Sequence, residues 1–385
     1  MPRNPHVQKH KFACPTCGVE IGIVLNLDQE AITLEYEEPT NAHWVEGDTE
    51  GIATALFYPE VMIPRGLAYP MSPFIATFGN FKDIKHYQSE EAARRHIKDK
   101  VWPAVQRVYV HFENGSLELM KKDAAGIVRE VPDLPDEENW AGWLMEVTRQ
   151  YFDFFVTDPS LINDLGMVAA KAVQRSADTF RALAGQYVAS GRMIALWKEV
   201  KSVRRQFMEH YETFLPVLMV RRYWREDQQD IAHYELSVKN FEDLKSFYID
   251  CVETSFRLLV IGLATVLIEQ TGTPTIKTSE GDRDIWWFEQ MKNGIKNGQL
   301  DKHPVFKPIT DALDLGLRNG VGHHSAHYDV SNDEIAYVKP NDARLMQLQL
   351  SYTGFVDKAF NAFCAFELAT MFFQFLFVAG RGKLA

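Results

Sequence analysis

The sequence predicts a mainly helical chain with a small α+β region at its N-terminus. Three observations lead there. From residue 137 to the C-terminus, apolar residues recur at helical spacing in several long runs. Ahead of them, residues 19–37 alternate apolar and polar, as two short strands around Asp28 and Gln29 would. Between the two regimes, Pro132, Asp133, Pro135 and Asp136 form an acidic, turn-rich boundary. The length of 385 residues suits two or three domains, and 46% hydrophobic with 24% charged residues is ordinary for packed cores. The expected division is an N-terminal α+β region over 1–130, a helical middle region over 136–235 and a C-terminal helical bundle over 237–385.

Taken in order, the chain first offers Cys14-Pro15-Thr16-Cys17-Gly18, which looks like one half of a zinc ribbon. Two thiolates on a tight turn chelate Zn²⁺ well, but a structural site takes four ligands. The other two of the four cysteines, Cys251 and Cys364, sit alone in apolar helical stretches, so no second pair is present. His6, His10 and His43 are the nearest additions. Two readings stay open: a structural zinc at Cys14 and Cys17, or a knuckle folded on its hydrophobic hairpin alone. Four cysteines so placed make no disulfide framework, and the basic, polar N-terminus shows no signal-peptide pattern. A cytoplasmic protein is expected.

Residues 90–105 read as a helix, and 108–120 as a hairpin with alternating Val108, Val110 and Phe112 ahead of an Asn114-Gly115 turn. Helices follow over 137–156, 159–190 and 193–211, punctuated by Asp158-Pro159 and Ser190-Gly191. The charged stretch 221–234 reads as a linker. Beyond it come helices over 241–270, 282–300 and 304–319, and a last one around 355–378. Residues 258–268 are too short to cross a bilayer. The last helix is long enough, but Asp357, Lys358, Asn361, Glu367 and Gln374 interrupt it, so a core or dimer helix is expected and no membrane partner. Seven of its phenylalanines, Phe360, Phe363, Phe366, Phe372, Phe373, Phe375 and Phe377, exceed what one face can bury. A homodimer through this C-terminal region is expected from that excess.

The net charge of −11 excludes a general nucleic-acid coat, since non-specific binding works by neutralising phosphates. It leaves room for a local basic groove. Candidates are Arg204 with Arg205, Arg221 and Arg222 with Arg225, and Lys292 with Lys296, although such clusters are more often solvated faces.

The most informative stretch is 317–329. It gathers Arg318 and three of the 12 histidines, His323, His324 and His327, among small residues with Asn319, Gly320 and Gly322. Arginine keeps its charge and grips phosphate oxygens in a planar fork, while histidine exchanges protons near neutral pH. That pairing suits phosphodiester cleavage. On an unbroken helix, residues five apart point about 140° from one another. Arg318 and His323 therefore converge only if Gly320 or Gly322 ends the helix, or if a second copy completes the site. Two other readings stand beside this one. The three histidines could ligate a metal, positions three and four apart sharing a helix face. Alternatively the stretch is a polar cap and turn, with Arg318 ion-paired and the histidines solvated.

Arg318, Asn319 and His323 resemble the signature of the HEPN superfamily (higher eukaryotes and prokaryotes nucleotide-binding domains): an arginine, commonly a polar residue, then a histidine after four to six intervening positions. His324 fits the five-residue spacing. The following His327-Tyr328-Asp329, an expected strand over 333–338 and the long apolar last helix extend the likeness over roughly the final third. The resemblance implies a HEPN-like helical bundle and a metal-independent endoribonuclease working as a dimer. His323 would be the base on the ribose 2′-hydroxyl, Arg318 the phosphate-charge stabiliser and Asn319 its orienting partner. Some relatives add an acidic residue from a neighbouring helix, a role open to Glu253, although pairing with Arg257 one turn on is its ordinary explanation. No cofactor is then needed for catalysis. RNA is the substrate, and an inhibitory or activating protein partner and a prokaryotic defence or toxin setting are implied. The alternatives are a non-catalytic RNA- or nucleotide-binding regulatory module, and a metal-dependent hydrolase built on His323, His324 and His327.

Overall fold

Helix-period apolar runs become helices along most of the chain. The computed structural model describes residues 7–14, 16–28, 33–43, 62–67, 73–86, 96–127, 143–144, 147–148, 155, 159–236, 240–322, 326–329, 333–338 and 347–380. The strands are β1 (Val7–Ala13), β2 (Glu20–Asp28), β3 (Thr33–Tyr36), β4 (Met62–Pro64), β5 (Tyr234–Leu236), β6 (Ile276–Thr278), β7 (Gly281–Arg283), β8 (His327–Asp329), β9 (Glu334–Val338) and β10 (Gln347–Ser351). The helices are α1 (Pro73–Thr77), α2 (Trp102–Glu113), α3 (Leu117–Ala124), α4 (Pro159–Arg175), α5 (Ala177–Ala189), α6 (Arg192–Glu209), α7 (Tyr211–Tyr223) and α8 (Phe241–Thr271). After them come α9 (Ile285–Glu289), α10 (Asn293–Leu300), α11 (Lys307–Thr310), α12 (Leu315–Gly322) and α13 (Tyr352–Ala379). The fold is mainly α, as expected.

Two compact units emerge, each drawn from three stretches: 1–91, 210–246 and 316–360 in the first, and 92–209, 247–315 and 361–385 in the second. Neither coincides with a single one of the three sequential regions expected from the sequence.

In the first unit β1, β2 and β3 form an antiparallel meander, β1 pairing from Val7↔Asn26 to Ala13↔Glu20. Ile23 and Leu25 on β2 turn inward, the period-two pattern of a half-buried strand. A second sheet has the order β10-β9-β8, all antiparallel. The stretch 221–234 is no linker: α7 runs to Tyr223, and Trp224 is fully buried between Phe81 at 6.0 Å and Tyr234 at 4.6 Å. Arg221 donates through Nη2 to Asp357 Oδ1 at 2.7 Å.

In the second unit the expected 108–120 hairpin is instead a helical pair. Trp102, Val105, Val108 and Tyr109 recur at helical spacing and are buried, so α2 continues to Glu113, and Asn114-Gly115 turns the chain into α3. The expected 282–300 helix divides into β7, α9 and α10, and the expected 304–319 helix into a 3₁₀ turn, α11 and α12. The helical run breaks at 311–314, between α11 and α12, whereas Pro304 and Pro308 stand in the first turns of their own elements, where a missing donor is tolerated. Of the expected 137–156 helix, Trp143, Leu144, Val147 and Thr148 are helical and buried, and most of the remainder lies outside the described residues.

Helices α8 and α13 are long and apolar enough to cross a membrane, but their most apolar windows are 89% and 83% buried by the chain itself, as core helices would be. Buried hydroxyls on α8 are satisfied locally: Ser255 donates to the Cys251 carbonyl at 2.7 Å and Thr265 to that of Ile261 at 2.8 Å. The phenylalanine excess on α13 also needs no second copy. Phe360, Phe363, Phe366, Phe372, Phe373 and Phe377 are all buried within the chain. Phe363 stacks on Phe207 at 3.7 Å and Phe377 on Trp197 at 5.3 Å.

Glu367 on α13 receives Arg204 Nη2 at 2.8 Å and Nε at 3.0 Å, while Arg204 Nη1 donates to the Tyr109 hydroxyl at 3.0 Å. Burial works against the Arg204 charge, but Glu367 and then Tyr109 outweigh it and hold the guanidinium firmly protonated. Removing one partner of such a pair leaves an uncompensated buried charge. Glu367→Leu should lose about 3–5 kcal/mol of stability in urea unfolding, and adding Arg204→Met should recover much of that loss.

Candidate functional site

Helix α12 carries the arginine of the motif in the first unit. Its apolar side is Leu317 and Val321, one turn apart and both buried, with Gly320 buried beside them. That burial leaves Arg318, Asn319 and Gly322 on the half-exposed side. Arg318 Nη1 donates to Asn319 Oδ1 at 3.1 Å, so the arginine head is held by the next side chain along.

The helix does not end at Gly320. It continues to Gly322, and Gly320 serves another purpose. A Cβ there would stand 2.6 Å from Cδ2 and 3.0 Å from Cβ of Tyr337, on the central strand β9. Glycine is what lets α12 approach the sheet this closely.

His327 is exposed on β8, opposite Ala336. His323 and His324 lie outside the described residues. Beside His327, Tyr328 donates its hydroxyl to Asp333 Oδ1 at 3.2 Å, and Arg65 Nη2 donates to Asp333 Oδ2 at 2.6 Å. Arg65 also gives its Nε proton to the Ala232 carbonyl at 3.0 Å. Burial, then the Asp333 carboxylate, push the Tyr328 phenol well above its ordinary value. Asp333 itself is buried and has a left-handed φ of 52°, a conformation that aspartate tolerates better than most residues. Sequence reasoning missed this knot. Arg65 and Asp333 are 268 residues apart, and no local pattern links them.

Glu253 belongs to the second unit, where both carboxylate oxygens accept from Asn293 Nδ2 at 3.2 Å. Its expected partner Arg257 pairs with Glu199 instead. The candidate basic groove also changes. Arg204 is buried on Glu367, Arg221 is paired with Asp357, and Lys296 is only 5% exposed. Burial holds Lys296 below its ordinary pKa, with Glu253 and Glu289 opposing that shift. Of the remaining arginines, Arg205 lies 3.6 Å from Glu209 and Arg225 lies 4.0 Å from Asp227.

At the N-terminal knuckle, Cys17 is exposed and Cys14 partly so. Backbone N–H groups of Cys17 and Thr16, in that order, hold the Cys14 thiol below its ordinary range, with help from the Cys17 side chain. His43 Nδ1 stands 3.1 Å from Glu38 Oε1. Among the described residues no group of three or more His, Cys, Asp or Glu side chains is placed to hold a metal ion.

No protein family, curated protein or solved structure matches this chain.

The Gly320–Tyr337 approach can be tested directly. Gly320→Ala gains about 1 kcal/mol of helix propensity, but it drives a methyl group into the Tyr337 ring, and such overpacking costs about 1–3 kcal/mol. Thermal unfolding should show net destabilisation. Adding Tyr337→Ala should remove the 2.6 Å ring contact and leave only the 3.0 Å contact with Cβ, so that most of the loss caused by the alanine at 320 is relieved in that background.

Proposed function

We propose that the chain is a metal-independent endoribonuclease whose working pair is Arg318 and His323, set in a HEPN-like C-terminal region. The observation that carries this reading is the Arg318–Asn319 hydrogen bond: an arginine on the half-exposed side of α12 is held by its neighbour, with four residues between it and a histidine. A guanidinium held in place suits phosphate oxygens better than a freely rotating cation would.

In this mechanism His323 takes the proton from the ribose 2′-hydroxyl, whose oxygen attacks the adjacent phosphorus. The P–O5′ bond breaks, and a second histidine, His324 or one from a partner copy, protonates the leaving oxygen. Arg318 stabilises charge on the non-bridging oxygens, and Asn319 orients Arg318. Glu253, whose carboxylate accepts from Asn293, is the acidic residue this reading adds to the pair. The setting that goes with this reading is a dimeric cytoplasmic defence or toxin effector under the control of a protein partner.

Arg318→Ala and His323→Ala should each abolish cleavage of mixed RNA while circular dichroism stays unchanged. Loss of general acid–base help costs about a hundred- to ten-thousandfold, so a gel assay resolves it. Arg318→Lys should be badly impaired and His324→Ala milder. Products should end in a 2′,3′-cyclic phosphate, and cutting should survive a chelator. Loss of cutting with chelator would move the chemistry to a metal held by His323, His324 and His327, and binding without cutting would make the chain an RNA-binding module. Cleavage of a 2′-deoxy substrate at the normal rate would rule out the mechanism.

A further inference from the structure

The Cys14–Cys17 knuckle has the geometry of half a metal site. β1 and β2 pair as far as Ala13↔Glu20, and the turn between them closes by two backbone bonds of 2.8 Å, Gly18 N–H to the Cys14 carbonyl and Cys14 N–H to the Val19 carbonyl. Gly18 has φ of 73°, which glycine adopts without strain, and there the chain folds back so that two N–H groups point at the Cys14 sulfur. A thiolate pair is chelating, soft and self-repelling, and a divalent soft cation relieves that repulsion.

The chain itself does not complete such a site among the described residues. No third ligand joins the pair, and Cys251 and Cys364 are buried in the second unit. His43 is engaged by Glu38. Meanwhile Thr16, Cys17, Gly18 and Val19 face outward, Val19 being 44% exposed beside the sulfurs. The turn therefore presents two ligands and an apolar side chain to whatever meets it.

We propose that Cys14 and Cys17 of two copies of this chain hold one zinc ion between them as four thiolates. The arrangement is isologous: one turn meets its own image across a two-fold axis, and each copy supplies half of the tetrahedron. Thiolate bonds of about 2.3 Å bring the two turns close enough for the exposed Val19 side chains to be covered. Four protein ligands leave no open position for water, so the site joins chains and performs no hydrolysis. The inference does not depend on the ribonuclease reading, since a chain inactive on RNA would still bind metal in this way.

The test is titration of the reduced full-length chain with cobalt(II), followed by displacement with zinc. The expected result is saturation at one cobalt per two chains, with the visible absorption of tetrahedral cobalt bound to four thiolates. Cys14→Ser and Cys17→Ser should each abolish that absorption while circular dichroism is retained. Should either serine variant unfold, the wild-type stoichiometry and spectrum decide the matter alone. Saturation at one cobalt per chain with a mixed nitrogen–sulfur spectrum, lost in His6→Ala, His10→Ala or His43→Ala, would overturn the proposal. So would the absence of cobalt uptake by the folded chain.

Discussion

The second unit depends most on one buried ion pair, Arg204 with Glu367. A helix as apolar as α13 gains nearly the same from burying any of its faces, so hydrophobic contact alone sets neither its rotation nor its register. A buried charge is different, because a shift of one residue would leave two ions unpaired, at several kcal/mol each. Glu367 accepts both Nη2 and Nε of Arg204, and Tyr109 takes Nη1, so α2, α6 and α13 are tied at one point. The same helix is pinned in the first unit by Arg221 on Asp357. Those interruptions of its apolar run act as register marks. Net stabilisation from such pairs is small or negative relative to well-packed apolar residues, and what they supply is uniqueness.

Where sequence and structure agree, the signal was periodic and long. Helix α8 ends within one residue of its expected limit, because a run of about eight turns averages out local ambiguity and Gly272 closes it with φ of 81°. Residues 108–120 failed because two periods coexist there. Val108, Val110 and Phe112 alternate, but Trp102, Val105, Val108 and Tyr109 also recur at helical spacing, and only burial decides between them. Asn114-Gly115 suits a helix–helix turn as readily as a hairpin. The basic pairs failed for another reason. Charge is visible in a sequence, but whether Arg204 faces water or Glu367, 163 residues away, is not.

The candidate site divides along the same line. Its motif was legible because Arg318, Asn319, His323 and His324 sit within seven consecutive positions. The role of Gly320 was not, since it depends on a strand that begins fourteen residues later. Read locally, a glycine near a helix end looks like a stop. Against Tyr337 it is a point of contact, and the helix passes through it.

Those contacts bear on the chemistry of the segment between them. Upstream, α12 is seated on β9 through Gly320, and downstream β8 is held by Tyr328 on Asp333, itself gripped by Arg65. Only residues 323–326 separate the last residue of α12 from the first of β8, and the five Cα steps between them span at most about 18 Å. Catalytic groups separated by a long loop would have to be ordered at each turnover, at an entropic cost that grows with loop length. On the proposed ribonuclease reading, a short span would incur most of that cost once, on folding. Asp333 belongs to the same arrangement: Arg65 and Tyr328 hold its carboxylate, and through Tyr328 it fixes the strand on which His327 stands.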